Sequence, residues 1–183
     1  MVTLDTLRVI YHPDRRRITD YLATTDAARV GDIARALNLQ VGSVSHHLRM
    51  LEREGMVARA TDLEVDGRTS WWRAVKRSIS WSVDDFVGDG SGQALARDME
   101  RANIQYQVDR LAEWKRVSPN ASEAWRRAAF SLDNTGRATP DELGRLADAL
   151  AETVRAWSES IDTSDGQERK AVRVFMHAFP MPS

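Results

Sequence analysis

Residues 40–57, QVGSVSHHLRMLEREGMV, place two adjacent histidines among serines and arginines on a regular apolar skeleton. Histidines can ligate a metal ion, whereas arginine, serine and histidine together can bind the base edges and phosphates of DNA. His46 and His47 would lie about 100° apart on a helix, so they do not converge on one ion as an i, i+4 pair does. The spacing therefore favours DNA binding over zinc, and we expect His47 to be packed and hydrogen-bonded.

The apolar residues of this segment predict which side of the helix is buried. Val41, Val44, Leu48 and Leu51 fall at i, i+3, i+7 and i+10, which is one stripe of an amphipathic helix. The opposite side is left for DNA, although a merely solvated face has the same pattern. The predicted DNA-binding residues on or beside that face are Gln40, Ser43, Ser45, His46, Arg49 and Arg53.

The flanking elements predict a helix-turn-helix with a wing. Residues 4–11, 13–23 and 29–38 have helical apolar spacing, and Pro13 suits a first helical position. Gly55 suits the C-terminal end of the fourth helix. Two strands then follow around the Asp66-Gly67 turn. In this wing we predict DNA contacts for Arg59, Arg68 and Thr69, while Arg15, Arg16 and Arg17 fit either phosphate contacts or pairing with Asp14 or Asp20.

The rest of the chain predicts a helical region behind a linker. We divide the chain into a winged domain (1–77), a linker (78–91) and a helical region (92–183). The long helix at 92–118 has two apolar stripes, which indicates two packing partners. The capping box formed by Thr139 and Glu142 begins another helix. Residues 129–134 and 172–179 have strand character, and we expect them to pair as antiparallel strands.

Composition restricts the function classes. The 183 residues contain no cysteine, which excludes disulfides and thiolate sites, and no apolar run is long enough to span a bilayer. No secretory signal is recognisable, so we expect a cytoplasmic protein. The net charge is −1, but residues 1–77 carry 13 Lys/Arg against 10 Asp/Glu. No catalytic motif occurs, so we expect no enzyme.

Three segments together resemble the winged-helix domain of ArsR-like bacterial transcriptional regulators: HPDRRRITDYL, VGDIARALNLQVGSVSHHLRMLEREGMV and DGRTSWWRAV. The resemblance covers roughly residues 4–77 and centres on the V-S-x-H-L sequence from Val44 to Leu48. VRVFMHAFP resembles C-terminal extensions of actinobacterial members. The resemblance implies a homodimeric regulator whose recognition helices enter successive major grooves of a palindromic operator. Members of the family often release DNA when an effector binds.

The chain departs from the family where metals bind. Arg29 and Gly31 stand at the positions that match the cysteines of the arsenic, cadmium and lead sensors, and neither binds a soft metal. The zinc and nickel sensors carry Asp/His pairs on the dimer helix, whereas residues 92–118 contain no histidine. We therefore expect no metal site and no cofactor. Gln40-Val41 also replaces the usual Ser-Gln opening of the recognition helix, so base preferences do not transfer.

These observations predict a mainly α protein with a small β component. It consists of a winged helix-turn-helix domain and a helical C-terminal dimerisation region carrying a short β pair. The predicted function is a sequence-specific, homodimeric DNA-binding regulator, a repressor, that binds double-stranded DNA at a palindromic operator. The alternative is a winged-helix module that binds protein and no longer reads DNA. The C-terminal region is either extra dimer scaffold or an aromatic, methionine-lined pocket for a small organic effector.

Overall fold

The computed structural model describes residues 2–63, 70–75, 79, 81–88 and 90–181, and in this part of the chain it has seven α-helices, three 3-10 helices and three short strands. The chain divides into two compact units, residues 1–113 and 114–183. The elements in order are α1 Leu4–Ile10, α2 Pro13–Ala23, β1 Ala28–Arg29, α3 Val30–Leu37, α4 Val41–Arg53, β2 Val57–Arg59, β3 Trp71–Ala74, α5 Gly90–Val117, α6 Glu123–Ala128 and α7 Pro140–Ser160.

Local capping determines where the first helices begin and end. The Thr3 side chain accepts the Thr6 N–H and begins α1, and His12 Nδ1 accepts the Asp14 N–H, 3.2 Å away, at the start of α2. Asn38 ends α3 with φ 53°, a left-handed conformation that asparagine tolerates. Gly55, with φ 66°, follows α4. The predicted limits of α1, α2 and α3 agree with the observed ones to within one residue at each end.

The core of the first unit lies between α2, α3, α4 and the sheet. Val44, Leu48 and Leu51 of α4 are fully buried, as the periodicity predicts. Val41 is a correction, because it is 58% exposed although it belongs to the same predicted stripe. It is the first residue of α4, so no preceding helical turn and no facing element covers it. The three buried residues of α4 belong to one core cluster with Ile18, Leu22 and Ile33, which are also fully buried.

The sheet has three antiparallel strands in the order β1-β3-β2. Val57 pairs with Ala74 and Arg59 with Trp72, which confirms the predicted pairing of the two wing strands. The two-residue strand β1 pairs with the other edge of β3 and was not predicted. Trp72 is buried while Trp71 is half-buried, as alternation along a strand requires. The predicted turn at Asp66-Gly67 lies outside the described residues.

The segment predicted as a linker is attached to the first unit. Trp81 Nε1 donates to the Tyr11 hydroxyl at 2.8 Å, and a 3-10 helix follows at Val83–Phe86, capped by Ser82. The beginning of α5 packs on this unit, since Gly92 and Ala96 are buried. The first part of α5 therefore packs on the winged region. The predicted division into residues 1–77, 78–91 and 92–183 stays a prediction.

The second unit contains the end of α5, then α6 and α7. The Thr139–Glu142 capping box at the start of α7 is confirmed. The predicted strand pair is wrong, because residues 129–134 and 171–179 have no regular secondary structure. Alternation stabilises a strand only when one face is buried, and Val172, Val174 and Met176 remain exposed. None of the described residues from 114 to 181 is buried.

None of the helices in the described part of the chain is long and apolar enough to cross a membrane.

Leu48→Ala should lower the free energy of unfolding of the winged region by about 2–5 kcal/mol, because the change leaves a cavity in the core. Val41→Ala is the matched control on the same helix and should cost less than about 1 kcal/mol, since Val41 is exposed. Urea titration followed by circular dichroism measures both variants. Equal losses in the two variants would contradict the assignment of the buried face.

Candidate nucleic-acid interface

The outward face of α4 carries the predicted DNA-binding side chains. His46, Arg49 and Arg53 are exposed on this helix, and Gln40 is exposed at its N-terminal cap. Ser43 and Ser45 are half-buried at the edges of the face. The structure thus places all six predicted residues of this helix on or beside one accessible face. Whether they contact DNA stays a prediction.

Some of these side chains are already oriented by neighbours. Arg49 Nη2 donates to Ser45 Oγ at 3.3 Å, one helical turn away. At the base of the wing, Arg59 Nη1 donates to Ser70 Oγ at 3.0 Å, and its Nε lies 3.8 Å from a carboxylate oxygen of Glu52. These exposed contacts are weak, so both guanidinium groups can exchange them for phosphates or base edges.

The wing is only partly described. Arg68 and Thr69, the predicted contacts at its tip, lie outside the described residues. Arg73 on β3 donates to both carboxylate oxygens of Asp62, at 2.9 and 2.7 Å. This charged hydrogen bond lowers the pKa of Asp62. Arg73 therefore stabilises the base of the wing and is a weaker candidate for a phosphate contact than Arg59.

The three arginines of α2 have partners within the protein. Arg15 is 7% exposed and donates to the carbonyls of Val9 at 2.5 Å and Arg8 at 2.8 Å. Arg16 Nη2 donates to Asn103 Oδ1 at 2.9 Å and lies against two tyrosine rings. Arg17 pairs with Asp14 at 3.2 Å and also donates to a carbonyl at the end of α3. Of the two readings that we left open, pairing with an aspartate is observed for Arg17, and a phosphate contact stays a prediction.

Arg15 also reaches the recognition helix. Its Nη1 lies 3.4 Å from His47 Nδ1 and 3.5 Å from Met50 Sδ. The guanidinium therefore connects the C-terminal end of α1 to the middle of α4. A guanidinium group only donates, so His47 Nδ1 accepts and the ring proton is on Nε2. His47 is 7% exposed, which confirms that it is a packed, hydrogen-bonded histidine.

Two histidines that are distant in sequence meet beneath the interface. The rings of His12 and His47 lie 4.9 Å apart, and His47 Nε2 is 4.0 Å from an oxygen of Asp14. Burial, more than the neighbouring positive charges, lowers the pKa of both histidines. The exposed ring of His46 meets the His47 ring edge-on, with 5.8 Å between the ring centroids. Spacing within α4 argued against a His46–His47 metal pair and did not reveal the contribution of His12.

Sequence reasoning missed two accessible residues at the start of α4. Val41 is exposed, and a Cβ on Gly42 would meet no atom within 4 Å. An apolar side chain at this position can contact a thymine methyl group, and a glycine permits close approach of the backbone. The missing Ser-Gln motif was a signal that this first turn differs from the family pattern.

Residues 12–59 match the family described as bacterial regulatory protein, arsR family. This segment extends from the start of α2 to the end of β2, so it contains the complete helix-turn-helix and the first strand of the wing. No curated protein matches the chain.

Solved structures give more distant similarities. A transcriptional regulator homologue from Pyrococcus horikoshii OT3 is 20% identical, covering 57% of this chain and 88% of that chain, with a TM-score of 0.35. The adhesin competence repressor from Streptococcus pyogenes is 14% identical, covering 81% and 80%, also at 0.35. ZitR from Lactococcus lactis is 13% identical, covering 79% and 83%, again at 0.35. At these TM-scores the similarities add nothing to the family match.

Arg15→Met should lower the free energy of unfolding by about 1–3 kcal/mol, because it leaves the carbonyls of Arg8 and Val9 without their donor. Arg8→Met is the matched control, and it removes only an exposed ion pair with Asp5, worth less than about 1 kcal/mol. Denaturant unfolding compares the two variants. If Arg15→Met costs no more than Arg8→Met, the guanidinium does not anchor α1 to α4.

Proposed function

Since residues 12–59 form an ArsR-like helix-turn-helix, we propose that the protein is a sequence-specific DNA-binding transcriptional regulator that acts as a homodimeric repressor. The main support for this proposal is that α4 is amphipathic. Its apolar side is fully buried, whereas the opposite side presents histidine, serine and arginine to solvent. The matched family is one of regulatory proteins, and no enzymatic activity is part of the proposal.

The proposed contacts divide by chemistry. His46 and Arg49, in the middle of the exposed face, suit the acceptor atoms of guanine in the major groove. Arg53 and Arg59, near the end of α4 and on β2, suit the phosphates that fix register. The remaining residues of the proposed interface are Gln40, Ser43, Ser45, Arg68 and Thr69. The excess of Lys and Arg in residues 1–77 supports attraction to the DNA backbone despite the net charge of −1.

Dimerisation is proposed through the outer face of α5. Ile104, Val108 and Leu111 form a stripe on this helix and are 44%, 54% and 43% exposed. The inner face, including Tyr106, packs on the winged region. A second copy is the occupant that fits best, because two recognition helices about 34 Å apart are needed to read successive turns of a palindromic operator.

Regulation by a soft metal ion at cysteines is not part of the proposal, because the chain has none. An organic effector stays a prediction. We expected a pocket of aromatic and methionine side chains, and three such side chains of the C-terminal region, Trp157, Met176 and Phe179, are exposed at 46%, 49% and 72%. This exposure favours the reading of the C-terminal region as dimer scaffold.

Arg49→Ala and His46→Ala should each weaken binding to the operator by about 1–3 kcal/mol while changing binding to random DNA much less, because each removes a base contact. Arg53→Ala should weaken binding to the operator and to random DNA alike. It should also lower the slope of log affinity against log salt concentration by about 1, as expected for the loss of one phosphate contact. Fluorescence anisotropy with promoter DNA of the protein's own gene, repeated at several salt concentrations, measures these effects.

Arg145→Ala is the matched control for this series, because it removes an exposed arginine on α7 and should leave DNA affinity unchanged. A protein that does not prefer its own promoter to random DNA at physiological salt contradicts sequence-specific binding. In that case the alternative of a protein-binding winged helix gains support, and a protein partner retained after nuclease treatment would identify it.

Val108→Asp should weaken the dimer by at least about tenfold, because it places a charge in the apolar stripe of α5. Gln105→Asp is the control, since it adds the same charge at an exposed position beside the stripe. Analytical ultracentrifugation over a concentration series measures both variants. A monomer at micromolar concentration in the unmodified protein, or equal effects of the two variants, would contradict dimerisation through this face.

A further inference from the structure

Three groups with metal-ligating atoms converge beneath the recognition helix. His12 precedes α2, Asp14 lies in its first turn, and His47 lies in the middle of α4. One ligand atom from each lies within 4.8 Å of the other two. Of these three residues, His47 is buried and the other two are half-buried. The arrangement depends on the packing of α2 against α4, because more than thirty residues separate His47 from the other two.

The donor set suits zinc. Two imidazole nitrogens and one carboxylate oxygen are its ordinary ligands, and a fourth position filled by water completes a tetrahedron. Zinc–ligand bonds of about 2.0–2.2 Å place neighbouring ligand atoms about 3.3–3.5 Å apart. The ligand atoms, now within 4.8 Å of one another, must therefore approach each other by up to about 1.5 Å. His12 and Asp14 are less buried than His47, and His12 Nδ1 already accepts the Asp14 N–H, which leaves His12 Nε2 for the ion.

We propose that His12, Asp14 and His47 bind one divalent transition-metal ion, zinc in the first instance, with solvent as the remaining ligand. This differs from our expectation of a chain without a metal site, which considered only His46–His47 and the cysteine and dimer-helix positions of the family. Imidazole binds a metal ion through an unprotonated ring nitrogen, and each of the two rings offers one.

Metal binding conflicts with the hydrogen bonds of the metal-free protein. Arg15 Nη1 donates toward His47 Nδ1, so the proton of that ring is on Nε2, the atom that is near Asp14. Ligation through Nε2 transfers the proton to Nδ1, and Arg15 must then withdraw from the ring. Asp14 would also leave its ion pair with Arg17. The nearby positive charge of Arg15 limits affinity, and we expect a dissociation constant in the micromolar range.

The consequence reaches the proposed DNA interface. Arg15 holds the carbonyls of Arg8 and Val9, so its withdrawal from His47 loosens the connection between α1 and α4. We therefore expect zinc to weaken DNA binding by about tenfold, an ordinary size for coupling between two sites. This effect of zinc on DNA binding depends on the proposed function, whereas zinc binding itself does not.

The first experiment measures metal binding without DNA. The full chain, treated with chelator and dialysed, is titrated with zinc by calorimetry and with cobalt by visible absorption. One ion per chain should bind, and the bands should indicate nitrogen and oxygen ligands. His12→Gln and Asp14→Asn should each weaken binding by at least about tenfold. His46→Gln is the matched control, since it changes the neighbouring histidine but no proposed ligand.

His47→Gln is the most direct variant, but its buried position makes loss of folding an alternative explanation. His12→Gln and Asp14→Asn change half-buried residues, and thermal melting of the zinc-free variants verifies that they fold. Unchanged zinc affinity in these two variants overturns the site. Absence of binding by the unmodified chain at hundreds of micromolar zinc overturns it as well.

The second experiment measures DNA affinity with and without zinc. Zinc should weaken promoter binding by the unmodified chain but not by Asp14→Asn. If zinc binds and promoter affinity does not change, the proposed regulation by zinc is overturned while the zinc site stands. If the zinc-free protein shows no preference for its promoter, the proposed function fails, and the calorimetric result for the metal site is unaffected.

Discussion

Burial of one side of α4 determines what its other side can do. Val44, Leu48 and Leu51 have no exposed surface, and turning the helix by one residue would bring them into water at a cost of several kcal/mol. The rotation of α4 about its own axis is therefore fixed by the core. The directions of His46 and Arg49 follow from it, although neither touches the core. Mutations in α2 or α3 can change DNA binding for the same reason.

Much of this fold could be predicted from the sequence, because helical periodicity, caps and turn residues are local signals. The limits of α2 follow from Pro13, and the pairing of β2 with β3 follows from alternation on either side of a turn. Val41 was predicted wrongly because apolar periodicity does not show where a helix begins. Val41 lies in the first turn of α4, where no other element covers it. The two-residue strand β1 is too short to show a period, so the sequence contained no signal for it.

The predictions that failed depend on contacts between distant residues. Alternation in residues 172–179 predicted a strand, yet a strand needs a partner and a covered face, and neither is a property of that segment alone. The approach of His12 to His47 is of the same kind, because it exists only once α2 packs on α4. Residue types around the candidate DNA interface were readable from the sequence, whereas the hydrogen bonds of Arg15 beneath it were not.

The second unit has α-helices but, in its described part, no buried side chain. Folding a segment costs conformational entropy that burial of apolar side chains largely offsets, so a unit of about seventy residues without a buried core gains little stability from its own packing. If a second copy supplies the missing contacts, folding of this unit and association become one bimolecular event. Its stability then depends on protein concentration. The amount of protein that the cell makes would thus set the fraction of chains with an ordered C-terminal unit, which is a form of control that needs no ligand.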